Sequence, residues 1–249
     1  MLHARAAVRA IQVLAAVVLL GLWQLVATFV VPKHLLPDPA STISQAWALL
    51  GSGVFRSNVG YTLLEFLAVE AIGIPVAMAL GFGLRNHFER FFGPAIQIVM
   101  STPQSIFLPI FMFVFGIGFE QKLLFGLTHV LLVTMLTSRA AAKSVPETLI
   151  VTGRFYGARR LTLYRRVYMP YMLPMLMQAI RLGLVFGLGA IIVAELYVSS
   201  RGVGNLVISY SSLSNIRALM AITLLVGAFA VVMNQSLFFL ERRFSRWRS

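Results

Sequence analysis

Four ionisable side chains stand within long apolar stretches of this sequence: Glu65, Glu70, Arg181 and Glu195. An ionisable group inside a membrane is costly, so it is normally paired or functional. At a helical rise of about 1.5 Å per residue, Glu70 lies about 17 Å from the first residue of the apolar stretch that contains it. Arg181 lies about 15 Å from the first residue of its apolar stretch. Both positions fall near the middle of a bilayer. The sequence therefore predicts that Glu70 and Arg181 pair or share a water, either as a structural contact or as an attraction for an anionic solute.

Glu195 and two further polar side chains occupy positions where a pathway could form. Glu195 precedes a short polar turn, SSRGVGN at 199–205, and this favours a gate or a packing role for its carboxylate. Gln104 and Ser105 follow Pro103, where small polar groups either line a pathway or repair the hydrogen bonds that proline breaks. The candidate pathway residues are therefore Gln104, Ser105, Glu70, Arg181 and Glu195.

Other site chemistries find no support in the residue types. The chain has no cysteine, which excludes disulfides, thiolate metal sites and a cysteine nucleophile. Its four histidines are scattered, so we predict no metal site: His3, His34, His87 and His129. None of its three lysines follows a glycine, which excludes the phosphate-binding G-x-x-x-x-G-K loop. No G-x-S-x-G elbow is present for a hydrolase. We expect this chain to bind no cofactor.

The composition is that of a membrane protein. Of the 249 residues, 59% are apolar and 12% are charged, whereas soluble domains carry about 25% charged residues. A net charge of +13 would also suit a nucleic-acid binder, but the basic residues lie between apolar runs rather than on a polar fold. That distribution is typical of the loops of membrane proteins, and we expect no nucleic-acid partner.

Six windows satisfy the requirement of about 20 apolar residues for one helical span. They predict an all-α, polytopic membrane protein of one domain, 1–249, with spans at about 10–31, 59–84, 94–116, 121–142, 171–198 and 216–240. Prolines predict that the third span is bent or unwound. With both termini on one side, fifteen lysines and arginines fall on that side and five on the other. This bias predicts that both termini are cytoplasmic.

The segment between the fourth and fifth windows, residues 144–169, is the most basic part of the chain. Pro146 and Glu147 favour a helix start, Gly157 predicts a break, and a second helix could begin near Arg159 or Leu161. The arginines could simply hold the segment inside and contact anionic lipid. That interpretation explains the charge but not the spacing of the glycine and proline residues. We call residues 144–169 the connecting segment.

The spacing in the connecting segment resembles the EAA loop of bacterial ATP-binding-cassette (ABC) importer permeases. In that pattern, E-A-A is followed after three residues by glycine and after nine more by I-x-L-P. The matching positions are Val151, Thr152, Gly153, Gly157, Val167, Met169 and Pro170, with Val151 in place of the glutamate. Four more segments are similar to the nitrate/sulfonate/taurine branch of this family, namely LLPDPASTISQAW at 35–47, TLLEF and GIP within 62–75, the proline-rich stretch at 92–118 and AELYVSSRGVGNLV at 194–207.

The resemblance implies a type I ABC importer permease in the bacterial inner membrane, with the connecting segment as a cytoplasmic coupling-helix loop. It implies a second permease copy, two cytoplasmic ATPase subunits that use ATP and Mg, and a periplasmic solute-binding protein as partners. The residues implied in coupling to the ATPase are Val151, Thr152, Gly153, Arg154, Gly157, Arg159, Arg160, Val167, Met169 and Pro170. The alternative is a self-sufficient secondary transporter or channel that uses Glu70 and Glu195 as ion sites.

Overall fold

The structure is a computed structural model that describes residues 2–32, 34–83, 94, 96 and 98–244, and all regular secondary structure in these residues is helical. The α-helices are α1 Leu2–Leu25, α2 Pro39–Gly51, α3 Gly53–Gly83, α4 Leu108–Phe115, α5 Phe119–Lys143, α6 Glu147–Phe155, α7 Arg160–Leu163, α8 Met169–Val198, α9 Val203–Ser212 and α10 Ile216–Phe244. Turns of π-helix follow α1 and join α7 to α8, at Val26–Val30 and Tyr164–Tyr168. The predicted all-α fold is confirmed.

Five helices of the described residues are long and apolar enough to cross a membrane. They are Ala10–Val30, Gly53–Phe82, Phe119–Lys143, Arg160–Tyr197 and Ile216–Phe239. Two of them begin earlier than the sequence predicted, at Gly53 instead of 59 and at Arg160 instead of 171. An apolar window ends at the first polar residues, whereas the helix itself continues through polar residues at the membrane surface. The apolar window is therefore shorter than the helix.

The predicted third span, about 94–116, is not one continuous membrane-length helix. Helical residues 98–101 end before Thr102, and the chain resumes as a 3₁₀ turn, Gln104–Phe107, that leads into α4. Pro103 has no backbone N–H to donate, and it disfavours the helical conformation for the preceding residue. Gln104–Phe115 remains as a shorter apolar helix. Residues 95 and 97 of this window lie outside the described residues.

The chain forms two compact units, residues 1–58 with 206–229 and residues 59–205 with 230–249. In the second unit, α3, α5 and α8 pack around fully buried Val69, Val130 and Ile191, one from each helix. A Cβ placed on Gly126 would lie 2.8 Å from Val69, and one on Gly73 would lie 2.8 Å from Val130. Small residues of this kind allow helix backbones to approach closely in a membrane, where no hydrophobic effect drives the helices together.

In the first unit, side chains fix the ends of α2 and α10. Asp38 accepts a hydrogen bond from Ser41 N at 2.9 Å and so caps α2, whose first residue is Pro39. Trp23 Nε1 donates to Pro37 O at 3.0 Å, which ties the end of α1 to the start of α2. Asn215 Oδ1 accepts from Ala218 N at 3.1 Å and caps α10 in the same way.

Candidate functional site

A cavity of about 510 Å³ lies beside the break in the third apolar window. Its polar lining comes from Thr102, Gln104, Ser105 and His129, and its apolar lining from Met100, Val185, Phe186, Gly189, Ala190 and Val193. The Oε1 atom of Gln104 is buried and receives no hydrogen bond from the residues that the structure describes. It is a hydrogen-bond acceptor available to a molecule that enters. We call this space the Gln104 cavity.

His129 supplies the second orientable polar group of the Gln104 cavity. Its Nδ1 lies 3.0 Å from the backbone oxygen of Phe125, and its ring packs against the Phe125 ring with a centroid distance of 4.6 Å. Because a carbonyl only accepts, this contact assigns the proton to Nδ1 and leaves the neutral Nε2 as an acceptor. The sequence analysis considered His129 only as a metal ligand and missed this position. A polar side chain within an apolar helix is the signal that identified Glu70, and the same signal would have identified His129.

Glu195 is held in a buried hydrogen-bond network at one end of α8. Its side chain is 1% exposed. Thr62 Oγ1 donates to its carboxylate at 2.7 Å, and Gly204 N donates to it at 2.8 Å. Thr62 Oγ1 in turn accepts from Val203 N at 2.8 Å. The carboxylate and the hydroxyl thus satisfy the first backbone N–H groups of α9, where a negative charge is favourable.

The two glycines of the GVG triplet make room for this carboxylate. Gly202 has a φ of +103°, and a Cβ on it would overlap the Glu195 carboxylate. A Cβ on Gly204 would lie 2.5 Å from Glu195 Cβ and 2.7 Å from Ile192 O. Both positions therefore need glycine, the first for its backbone conformation and the second for close approach. These contacts are those of a packed structural position, and the gate or packing role of Glu195 stays a prediction.

Lys122 and Glu65 form a buried ion pair between α5 and α3, and each side chain is 6% exposed. Lys122 Nζ also donates to Ser199 Oγ at 3.0 Å. The sequence predicted neither this pair nor the burial of Lys122, which lies at the start of the predicted window 121–142. The ammonium is buried because a carboxylate on a neighbouring helix and a hydroxyl offer it hydrogen bonds there.

Glu70 is 5% exposed, and neither of its carboxylate oxygens receives a hydrogen bond from the described residues. It lies against Gly187 of α8, where a Cβ would overlap its Oε1. The guanidinium of Arg181 lies 5.7 Å from the ring centroid of Phe238, in the cation–π range. The direct hydrogen-bonded pair of Glu70 and Arg181 that the sequence predicted is thus not formed. A shared water stays a prediction.

The connecting segment breaks at Gly157, as the sequence predicted: α6 is a short helix, whereas α7 begins a helical run that continues through the π-helical turn into α8. Gly157, with a φ of +75°, follows the end of α6. Its N–H donates to Arg154 O at 2.9 Å, and Ala158 N donates to Gly153 O at 3.0 Å. These two bonds form a Schellman motif, which requires a left-handed residue at the Gly157 position. A Cβ on Gly157 would meet nothing within 4 Å, so its requirement for glycine is conformational.

The predicted coupling residues lie on both faces of the connecting segment. Gly153 faces Leu163, because a Cβ on it would lie 2.6 Å from Leu163 Cδ2. Val167 is half-buried, and Met169 and Pro170 form the start of α8. The remaining predicted residues are exposed, namely Val151, Thr152, Arg154, Gly157, Arg159 and Arg160. The exposed face also carries Phe155 and Tyr156, 88% and 83% exposed, which the sequence analysis did not single out.

One buried side chain joins the connecting segment to the membrane helices. Ile150 of α6 is 8% exposed and belongs to a core cluster with Ala141 and Ala142 of α5 and with Met172 and Leu176 of α8. The segment is therefore packed against the ends of two spans rather than suspended as a loop. A movement of α6 must displace α5 and α8, because close-packed interiors transmit displacement.

The sequence pattern of a known family covers most of this chain. The family described as binding-protein-dependent transport system inner membrane component matches residues 73–249. The taurine transport system permease protein TauC of Escherichia coli K12 is 26% identical over 240 residues, with 92% of this chain and 86% of that protein covered. The putative aliphatic sulfonates transport permease protein SsuC of Bacillus subtilis 168 is 23% identical over 237 residues, with 93% and 85% covered.

The fold is similar to that of a chain in a solved transporter structure. An inward-facing structure of the MetNI methionine ABC transporter matches with a TM-score of 0.57 and 19% identity, covering 84% of this chain and 97% of that chain. The similarity of fold agrees with the family match, which spans well over half of the sequence. The chain therefore belongs to the family of multi-pass inner membrane components of binding-protein-dependent transport systems.

Proposed function

We propose that this chain forms the solute pathway of an ABC importer as one of two permease subunits, in the simplest case identical copies. Two cytoplasmic ATPase subunits bind the connecting segment, and a periplasmic binding protein delivers the solute. The family match and the fold of MetNI support this assembly. In this orientation the connecting segment and both termini face the cytoplasm, as the distribution of lysine and arginine indicates.

The observation that carries this proposal is the packing of Ile150 against α5 and α8. The exposed residues of α6 and α7 meet the ATPase, and Ile150 passes their displacement to the ends of both helices. The same two helices supply His129 and the Val185–Val193 face of the Gln104 cavity. ATP binding thus changes access to the cavity without any nucleotide chemistry in this chain. Hydrolysis in the partner subunits returns the pair to the inward-facing state.

The Gln104 cavity supports a small organic solute of the taurine or sulfonate type, or a related molecule. The relatives include permeases named for taurine and for aliphatic sulfonates. The described residues that line the cavity include no arginine, lysine, aspartate or glutamate, and its largest surfaces are apolar. Such a lining suits a solute with an apolar body and hydrogen-bond donors better than a bare inorganic anion such as nitrate. Gln104 Oε1 and His129 Nε2 are acceptors for a donor such as the ammonium group of taurine, whereas the oxygens of a sulfonate only accept and would take donors such as the Ser105 hydroxyl.

The alternative, a self-sufficient transporter or channel, would need Glu70 and Glu195 as ion sites. The Glu195 carboxylate already accepts hydrogen bonds from Thr62 and Gly204. This arrangement favours a structural function over reversible ion binding. Reconstitution separates the two hypotheses. We expect the purified chain alone to accumulate no solute, and the chain with its ATPase and binding protein to accumulate solute only when ATP is present.

The absence of cysteine from the sequence allows a direct test of the pathway. A single Ser105→Cys variant should react with a charged, membrane-impermeant thiol reagent at a rate that changes at least several-fold between nucleotide-free and ATP-bound complexes. Trp47→Cys is the control, because Trp47 is 79% exposed on α2 and should react equally in both states. A Ser105→Cys rate that is the same in both states, with the control reactive, would contradict the assignment of the cavity to the pathway.

A further inference from the structure

A second cavity, of about 310 Å³, lies where the connecting segment meets the ends of three spans. Its polar wall contains Arg154 of α6, Arg160 of α7, and Tyr164 and Tyr168 of the π-helical turn. We call it the Arg154 cavity. We propose that it binds the phosphate group of an anionic phospholipid, with the acyl chains directed along the spans. The proposal uses the orientation proposed above, with the connecting segment at the cytoplasmic surface.

The charge of the cavity points to an anion. Neither the Arg154 nor the Arg160 guanidinium makes a hydrogen bond or an ion pair with any residue in the described part of the chain. No described residue that lines the cavity is acidic. Two like charges at one cavity repel each other unless an anion lies between them. Guanidinium groups offer paired N–H donors that match phosphate oxygens, and phenol hydroxyls can donate to the same oxygens.

The apolar wall of the cavity indicates a lipid rather than a free anion. This wall includes Phe82, Ala142 and Met172, which stand near the ends of α3, α5 and α8. The proposed orientation places these ends towards the cytoplasmic surface of the membrane. A ligand with a charged head and an apolar body satisfies both walls, whereas inorganic phosphate would leave the apolar wall in contact with water. Anionic lipids are attracted to basic segments at this level of the cytoplasmic leaflet.

The volume of the cavity is compatible with a headgroup. Small-molecule sites occupy about 300–1,000 Å³, and this cavity is at the lower limit of that range. A phospholipid places only its phosphate and glycerol backbone in the cavity, so a small volume is sufficient. A bound lipid would join α6 and α7 to the spans at the position next to Ile150. The anionic lipid content of the membrane would then influence how firmly the connecting segment follows the ATPase.

Lipid retention by the purified permease–ATPase complex tests the proposal. The complex is incubated in detergent with phosphatidylglycerol or phosphatidylcholine, and the lipid that it retains is quantified by mass spectrometry. Each arginine near an anionic group contributes about a 5-fold increase in affinity, so Arg154→Gln with Arg160→Gln should weaken phosphatidylglycerol retention about 25-fold. The matched control is Arg165→Gln with Arg166→Gln, which removes the same charge outside this cavity and should retain the lipid.

Three results distinguish the proposal from simpler explanations. Equal loss of lipid in both double variants would overturn it, because attraction to basic charge in general would then suffice. Replacement of the bound phosphatidylglycerol by an equal amount of bound inorganic phosphate would also overturn the proposal, because the cavity would then be assigned to a soluble anion. Arg154→Lys with Arg160→Lys keeps both charges and should retain the lipid within a few-fold.

Arg154 and Arg160 are also among the residues implied in ATPase binding, so the ATPase that stays with each variant is quantified beside the lipid. Loss of the ATPase together with the lipid would assign both arginines to that interface and overturn the lipid site, whereas unchanged lipid with the ATPase retained would overturn the lipid site and leave the proposed transport function standing.

Discussion

Removal of Lys122 should destabilise the protein far more than removal of any exposed lysine. The Lys122–Glu65 pair is 6% exposed on both sides, and Lys122 also donates to Ser199. Removing one member of a buried pair leaves the other charge buried without compensation, which costs about 3–5 kcal/mol. We therefore expect Lys122→Met and Glu65→Gln each to lower the free energy of unfolding by this amount. The measurement is unfolding of the purified protein in mixed micelles with increasing SDS.

A double-mutant cycle separates the ion pair from other effects of the substitutions. The combined Lys122→Met and Glu65→Gln variant removes both buried charges, and we expect it to lose only about 1–2 kcal/mol, because apolar replacement of a buried pair is often nearly neutral. The coupling energy should then be at least about 3 kcal/mol, within the range measured for close charge pairs. Arg56→Met, at an exposed position of α3, the helix that carries Glu65, is the control and should cost less than about 0.5 kcal/mol. Additive single effects would refute the pairing.

Four further predictions concern the connecting segment and the Glu195 network. Gly157→Ala should slow ATP-driven uptake and lower the free energy of unfolding by about 1–2 kcal/mol, because the backbone at this position is left-handed. Gly157→Asn should lower the free energy of unfolding less, since asparagine adopts that conformation more readily. Ile150→Ala should reduce uptake per ATP hydrolysed while ATPase binding persists, and equal coupling ratios in variant and wild type would contradict the role given to Ile150. Glu195→Ala should cost about 2–4 kcal/mol, because the Gly204 N–H loses its acceptor; an effect below about 0.5 kcal/mol would argue against the network. Gly204→Ala should impair the protein more than Gly189→Ala, whose Cβ would meet nothing within 4 Å, as thermal unfolding would show.

Local features of the site were predictable from the sequence because their cause is local. Gly157 and the two helices around it follow from the φ preferences of glycine and from the helix start at Pro146 and Glu147, which involve only neighbouring residues. The break in the third apolar window follows in the same way from Pro103. The all-helical fold class and most of the spans could be predicted from the lengths of the apolar segments alone, because these lengths are counted directly along the sequence.

Partners that are distant in sequence could not be predicted. Thr62 and Glu195 are 133 residues apart, and Glu65 and Lys122 are 57 apart, so no periodicity connects them. Lys122 stands at the start of an apolar window, and the carboxylate and hydroxyl that accept hydrogen bonds from its ammonium come from distant parts of the sequence. For a related reason, the sequence could not decide whether Glu70 and Arg181 form a direct hydrogen bond. Equal depth in the membrane brings two residues to one level but does not determine which faces of their helices meet.

The uninterrupted helical run from Arg160 to Tyr197 has a mechanical consequence. Its 38 residues correspond to about 57 Å at 1.5 Å per residue, nearly twice the roughly 30 Å of bilayer hydrocarbon. A rod of this length acts as a lever with its fulcrum at the Ile150 cluster. A tilt of only a few degrees there sweeps the far end through several ångströms. In the proposed mechanism, a small displacement of the connecting segment at one membrane face thus becomes a larger displacement at the other.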